Sequence, residues 1–190
     1  YGQAAHAGTF PMKKRKDAFY AAAEALCYLH NEIDKLGDEN LVYTTGEVVI
    51  HPCVNTVIPD FFDFSIDVRH EDPAVLDKVR EILLKLEQRQ WQGCRCEVVL
   101  GWNRDTVYWD KKLVEYVREA AQELGTAHMD IHSGAGHDAQ YISYMLPTTM
   151  IFVASKNGLS HCEEEYTSPE QCTEGATVLL NAVLKCDAED

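Results

Sequence analysis

From Asp17 to Leu36, apolar side chains recur at Ala18, Ala22, Ala25, Leu29, Ile33 and Leu36. Steps of three and four residues line one face of a helix, and Gly37 supplies its stop. Leu41 to Ile50 reads as a strand in which Gly46 marks a bulge. Pro52 and Pro59 frame a linker. Phe61 to Arg69 then alternates, with Phe62, Phe64, Ile66 and Val68 on one face and Asp63, Ser65, Asp67 and Arg69 on the other. Asp72 and Pro73 form the cap and first residue of a second helix, which carries Val75, Leu76, Val79, Ile82, Leu83 and Leu86 inward and ends at Gly93. Cys96 to Leu100 is a further strand. With a strand end around His6, the order is βαββαβ, which predicts an α+β, ferredoxin-like sandwich: two helices over a four-stranded antiparallel sheet.

The second part of the chain changes character. Gly101 to Val107 reads as a linker, so the expected domains are residues 1–104 and 105–190. A third helix runs from about Asp110 to Leu124, with Leu113, Val117, Ala120 and Leu124 inward and Gly125 as its stop. The glycine-rich turn Ser133-Gly134-Ala135-Gly136-His137 opens a short helix. The run Met150 to Ala154 is uninterrupted and apolar, the pattern of an α/β strand covered on both faces. Ser168-Pro169-Glu170-Gln171 is a capping box with proline at the first helical position. The helix it opens is expected to bury Ala176, Leu179, Leu180, Val183 and Leu184, and Asp187 to Asp190 forms an acidic, frayed tail.

Bulk numbers narrow the function classes. The 190 residues, 46% hydrophobic and 25% charged, describe a globular chain of one or two domains. A formal charge of −14 argues against nucleic acid or an anionic membrane as partner. No apolar run approaches the ~20 residues of a membrane span, and nothing at the start resembles a signal peptide. The seven cysteines are odd in number, and Cys94-Arg95-Cys96 lacks the spacing of a redox or zinc motif. Free thiols in a reducing cytoplasm follow. The chain opens at Tyr1, and its first methionine is Met12, so it reads as a piece of something larger.

Several side chains carry candidate chemistry. The glycine-rich turn can bring backbone N–H groups, including that of Gly136, against an anion. His161, followed by Glu163, Glu164 and Glu165, is the best metal-ligand candidate, because neutral imidazole suits zinc and related ions. Cys162 is a weaker second candidate. His137 and His161 lie in two loops that can converge on one site. Arg69 ends the polar face of its strand, where a planar guanidinium suits bidentate binding of a carboxylate; a surface salt bridge is the alternative.

The order S-G-A-G-H-D-A, then P-x-x-M-I-F-V, then G-x-S-H-x-x-E-E resembles the C-terminal segment of the two-metal amidohydrolases related to aminoacylases. The branch is that of N-carbamoyl-L-amino-acid hydrolase, β-ureidopropionase and allantoate amidohydrolase. The run H-A-G-T-x-P-M-x-x-R-x-D-A from His6 to Ala18 is similar to the entry motif of that family's lid, or dimerisation, domain. The resemblance implies that His161 binds one ion of a pair of divalent metals (Zn, or Mn, Co or Ni). It also implies that His137 and His6 contact substrate and stabilise a developing oxyanion, His6 reaching across a homodimer interface. Asn55, in N-T-V-I-P, is similar to the asparagine of the family's N-x-I-P, but one extra residue separates it from Pro59, so Thr56 is the alternative. Arg69 and Gly136 complete the expected substrate contacts.

The family's remaining ligands come from an upstream H-x-D motif, a Glu-Glu pair that includes the general base, and a further histidine. None is assigned here, because Asp130-Ile131-His132 has the reverse order. The chain is therefore expected to be a lid domain joined to the C-terminal part of a metal-dependent catalytic domain. Its parent would cleave N-carbamoyl amino acids or allantoate-like substrates, and this chain alone would be inactive, lacking an N-terminal catalytic segment. Two alternatives stay open: an aminoacylase or dipeptidase of the same family, and a non-catalytic dimerisation or ligand-binding remnant.

Overall fold

The computed structural model describes residues 1–188, which divide into two compact units, Tyr1–Thr106 and a second beginning at Val107. Both are mixtures of helix and extended chain, and the strands form small antiparallel pairs.

In the first unit, helix α1 (Ala18–Asp34) starts where Asp17 accepts the N–H groups of Phe19 and Tyr20, and it buries Ala18, Ala21, Ala22, Ala25, Leu29 and Ile33. The strand expected at Leu41–Ile50 is broken into β1 (Val42–Thr44) and β2 (Val48–His51). Its partner is broken likewise into β3 (Phe61–Phe64) and β4 (Asp67–Arg69). β1 pairs with β4, and β2 with β3. Between the matched pairs Thr44–Asp67 and Val48–Phe64, the residues Thr45, Gly46 and Glu47 oppose only Ser65 and Ile66. This is a bulge around Gly46, closed by Ser65 N–H on Glu47 O at 3.0 Å and by Glu47 N–H on Ser65 Oγ at 3.1 Å. The extra residue lies on the β1–β2 side, so the alternation of Phe61–Arg69 survives, and Phe64, Ile66 and Val68 still lean on the core.

Helix α2 (Pro73–Leu84) begins as its sequence signals predict, with Asp72 accepting the Ala74 N–H. It stops at Leu84 rather than at Gly93, which has φ +76° and belongs to the Trp91–Cys94 turn. The corner before α2 is held by His70, whose side chain is 5% exposed. Its Nδ1 accepts the Asp72 N–H at 2.9 Å, and its Nε2 lies 3.2 Å from Asp38 Oδ2, close enough for an ion pair but misaligned for a hydrogen bond. Leu29, Ile33, Val79, Ile82, Leu86 and Trp91 fill the core, with Trp91 Nε1–H donating to Leu86 O at 2.7 Å.

Two expected strands do not form ladders. The N-terminal one is reduced to a single bridge, His6–Val57. Cys96–Leu100 carries no ladder: just before it Arg95 exchanges hydrogen bonds with Tyr1, and within it the Val98 N–H donates to Glu87 Oε1 at 2.7 Å.

The second unit is built on α3 (Lys111–Glu123) against α5 (Pro169–Ala188), with α4 (Ala139–Ser143) between them in sequence. Asp110 caps α3, and Gly125, at φ +68°, follows its end. The α3–α5 contact uses Tyr116, Ala120 and Ala121 on one helix and Val178 and Ala182 on the other. Lys185 on α5 adds ion pairs to Glu123 and Glu119 on α3.

Two expectations about buried helix faces fail here for one physical reason. Leu124 is 42% exposed, and Leu179, Leu180, Val183 and Leu184 are 53–58% exposed, because the helices meet along their small-residue sides, where backbones approach closely. Met150–Ala154 is extended but pairs with no strand among the described residues, and Phe152 and Val153 are more than two-fifths exposed. Val153 instead lies over Gly175 of α5, where a Cβ would come within 2.4 Å of its Cγ1. Of the acidic tail, Asp187 and Ala188 continue α5, and Glu189 and Asp190 lie outside the described residues. No helix among the described residues is long and apolar enough to cross a membrane.

The capping box at the start of α5 is reciprocal: Gln171 N–H donates to Ser168 Oγ at 3.2 Å, and Ser168 N–H donates to Gln171 Oε1 at 3.1 Å. Ser168→Ala should therefore cost about 1 kcal/mol. Urea unfolding followed by helical circular dichroism should show this loss, and Ser168→Asn should recover most of it.

Candidate functional site

In the first unit, His6 lies beside the segment that carries Asn55. Ala7 N–H donates to Thr56 O at 2.8 Å, Ile58 N–H donates to Ala5 O at 2.8 Å, and His6 bridges Val57. Asn55 and Thr56 are both exposed at the start of this pairing, after a turn in which Cys53 has φ +55°. The His6 ring is exposed, and its Nδ1 accepts the Gly8 N–H at 3.0 Å.

Arg69 lies on β4 opposite Val42. Its Nε and Nη2 donate to the two carboxylate oxygens of Asp67 at 2.9 and 2.8 Å, a bidentate pair on one strand face. Hydrogen bonding to Arg69 holds the Asp67 carboxyl below its ordinary range and raises the Arg69 guanidinium in turn. Asp67 was visible as a partner in the sequence: two residues away along a strand is the same face.

In the second unit, the glycine-rich turn does not present its backbone solely to solvent. The Ala135 N–H donates to Ser133 Oγ at 3.3 Å and the His137 N–H donates to Gln140 Oε1 at 3.3 Å, while Gly136 is exposed between them. His137 is half-buried. Its Nε2 lies 3.1 Å from Ser133 Oγ, and its ring meets Phe152 edge-on at 5.3 Å. Phe152 belongs to the extended segment that leads into the His161 loop, so that segment connects the two histidine loops.

The base of the His161 loop is tied by Lys156 N–H to Tyr166 O at 2.8 Å and by the Thr167 hydroxyl to Ala154 O at 3.0 Å. His161 is exposed and has φ +59°, a left-handed backbone that a β-carbon disfavours. The Glu165 carboxylate accepts its N–H at 2.8 Å, and Glu165 N–H donates to Cys162 O, which fixes this conformation. Ser133, Gln140 and Glu165 hold these turns; sequence reasoning passed over Gln140 and named Ser133 and Glu165 only as members of the glycine-rich turn and of the acidic run. Each sits three or four positions from its histidine, the reach of one turn.

His161 offers one imidazole to a metal, and Glu165 is turned back to the main chain. Among the described residues no three His, Cys, Asp or Glu side chains form a group that would hold an ion. The donor set present does not by itself make a metal site. All seven cysteines are free thiols, and burial raises the thiols of Cys94 and Cys96.

The chain is thus a mixed α/β chain of two units that carries His6, His137 and His161 in hydrogen-bonded turns. Residues 6–185 match the family model of peptidase family M20/M25/M40. The N-carbamoyl-L-amino-acid amidohydrolase of Rhizobium meliloti is 39% identical over 97% of this chain and 44% of its own length. The allantoate amidohydrolase of Bacillus subtilis (strain 168) is 36% identical over 97% of this chain and 45% of its own length. The crystal structure of AtUAH in complex with glyoxylate superposes with a TM-score of 0.86 at 31% identity, covering 97% of this chain and 44% of that one. The chain belongs to the M20/M25/M40 family, a metal-dependent family whose matching members here include amidohydrolases acting on non-peptide C–N bonds. It spans less than half the length of the relatives it matches.

The Asp67–Arg69 pair has a defined pH signature. Its folded carboxyl lies below the ordinary 3.8, so the pair's stabilisation is present above that pH and is lost as pH falls through the lower folded value. Carboxyl 13C titration should place Asp67 below 3.8 in this chain and return it towards 3.8 in Arg69→Leu.

Proposed function

We propose that this chain is the lid and the C-terminal catalytic segment of a metal-dependent amidohydrolase that hydrolyses N-carbamoyl or ureido amides of small carboxylates. Release of a free amino acid, ammonia and carbon dioxide is the reaction for a carbamoyl amino acid. The observation that carries this reading is the 36–39% identity, over 97% of this chain, to enzymes named for N-carbamoyl amino acids and for allantoate.

Residues 1–104 form the lid and dimerisation domain in this reading, with a ferredoxin-like arrangement once its strands are paired, and 105–190 belong to the catalytic domain. The exposed Leu179, Leu180, Val183 and Leu184 stripe and the unpaired Met150–Ala154 segment support a catalytic unit completed by further chain. Arg69 binds the substrate carboxylate, with Asn55 or Thr56 beside His6 on the lid. His137 and the Gly136 turn meet the substrate from the catalytic side. His6 serves the neighbouring subunit of a homodimer, and His161 contributes one ligand to the metal site of the complete protein. The free thiols suit a reducing compartment such as the cytoplasm.

Ammonia release from N-carbamoyl amino acids and from allantoate by the complete protein, with and without chelator, tests the reaction. No chelator-sensitive turnover of either substrate would overturn it. The 190-residue chain alone should show none, because among the described residues no three metal-ligating side chains come together. In the complete enzyme, Arg69→Lys should lower kcat/KM at least about tenfold, since a charge-assisted pair is worth ~1.5–3 kcal/mol and an ammonium cannot form a fork. Unchanged kcat/KM would leave Arg69 as the ion-pair partner of Asp67 alone. Mixing full-length His6→Ala with His161→Ala should partly restore activity in hybrid dimers. No recovery after confirmed subunit exchange would remove His6 from the neighbouring site.

A further inference from the structure

The turn that carries His6 is braced from outside. Arg15 Nη2 donates to Ala7 O at 2.6 Å and to Phe10 O at 2.9 Å, and Arg15 Nε donates to Phe10 O at 3.1 Å. A planar guanidinium spread over two carbonyls fixes their separation, which a single ammonium does not. Inside the turn, Thr9 and Phe10 direct their N–H groups to His6 O at 3.4 and 3.2 Å, and the Gly8 N–H reaches His6 Nδ1 at 3.0 Å. A ring nitrogen that accepts a hydrogen bond carries no proton, so the neutral imidazole holds its hydrogen on Nε2. Glycine at position 8 gives the ring room to fold back: a Cβ there would come within 3.2 Å of His6 Cε1 and 3.4 Å of Nδ1, so the ring would have to give by a few tenths of an ångström.

We propose that Arg15 is the positioning residue of His6: by bracing the Ala7 and Phe10 carbonyls, it keeps the Gly8 N–H on Nδ1 and fixes His6 as an Nε2–H hydrogen-bond donor. The group such a ring recognises is an acceptor that gains negative charge, such as the oxygen of a hydrolysed ureido or amide carbonyl. It is not a proton to be removed, because the nitrogen on the outward edge already carries one. This assignment rests on the reading that His6 reaches a substrate, but the bracing itself is testable without that reading.

Two measurements separate the two. In the 190-residue chain at about pH 8, where imidazole is neutral, ring 15N shifts of His6, assigned by comparison with His6→Gln, should show the Nε2–H tautomer. Arg15→Ala should convert this to an averaged mixture of tautomers, and Arg15→Lys should fall between. Arg15→Lys keeps the charge and the stem, and it decides the point if the alanine variant fails to fold. An unchanged Nε2–H pattern in the folded variants overturns the proposal, whatever the activity. In the complete enzyme, Arg15→Ala should lower kcat at least tenfold with KM within about threefold, and added guanidinium should restore part of the loss. If His6→Ala leaves kcat intact, the substrate role of His6 falls, and the ring shifts still decide whether Arg15 positions it. If His6→Ala is inactive and Arg15→Ala is fully active, the proposal falls and the reading of His6 stands.

Discussion

Close approach along the alanine-lined face of α1 is the constraint on which the first unit depends. Ala18, Ala21, Ala22 and Ala25 are almost wholly buried, and Ala18 N–H reaches Pro59 O at 3.0 Å. No larger side chain could let the helix start sit so near the chain that leads into β3. Only towards its end does α1 present Leu29 and Ile33, which fill the space against Val79 and Ile82 of α2. The N-terminal segment, the Val57–Pro59 segment and the cap at Asp17 all attach at the start of α1. His6 and the Asn55 loop are consequently fixed relative to the best-packed element of the unit, although both are exposed.

The second unit obeys the same rule with a different outcome. Alanines at 120, 121 and 182 and Gly175 let α3, α5 and the Val153 segment come together. That contact uses up the small residues and leaves the leucines of α5 outside it. Apolar area of this kind is costly in water at about 25 cal/mol per Å². The rule that large apolar residues point to the core thus gave the wrong face of α5. Periodicity shows that a helix has an apolar stripe, not which of two stripes meets which neighbour.

What was legible in the sequence follows the range of the interaction. Asp17, Asp72 with Pro73, Asp110 and the Ser168–Gln171 pair act within one turn, and each begins its helix as read. Gly46 marked its bulge for the same reason. Ladder formation at Cys96–Leu100 and Met150–Ala154 depends on where distant backbone groups go, and no local pattern records that Glu87 takes the Val98 N–H. The candidate site divides similarly. His6, His137 and His161 stand out by type and motif, and the structure places each in a turn held by its own neighbours. The residues that hold those turns are Gly8 with Arg15, Ser133 with Gln140, and Glu165. Gly8, Arg15, Ser133 and Glu165 lie inside the motifs already read, but their partners are mostly main-chain atoms, so the motifs did not record which turn each one holds.

The bulge opposite Ser65 and Ile66 bears on how this chain tolerates changes of length. Three residues facing two is an odd offset, and side chains in a strand alternate with every residue. Deleting one of Thr45, Gly46 or Glu47 leaves equal numbers on the two sides, so the pairings Thr44–Asp67 and Val48–Phe64 both survive and the bulge straightens into one continuous ladder. Tyr43, which leans on the core opposite Val68, would keep its face, and what the deletion removes is the local bend. The loop between α1 and β1 carries no such parity, so insertions there change reach without changing phase. Among relatives that share this unit, loss of one residue at the bulge should be tolerated alongside length variation between Gly37 and Leu41.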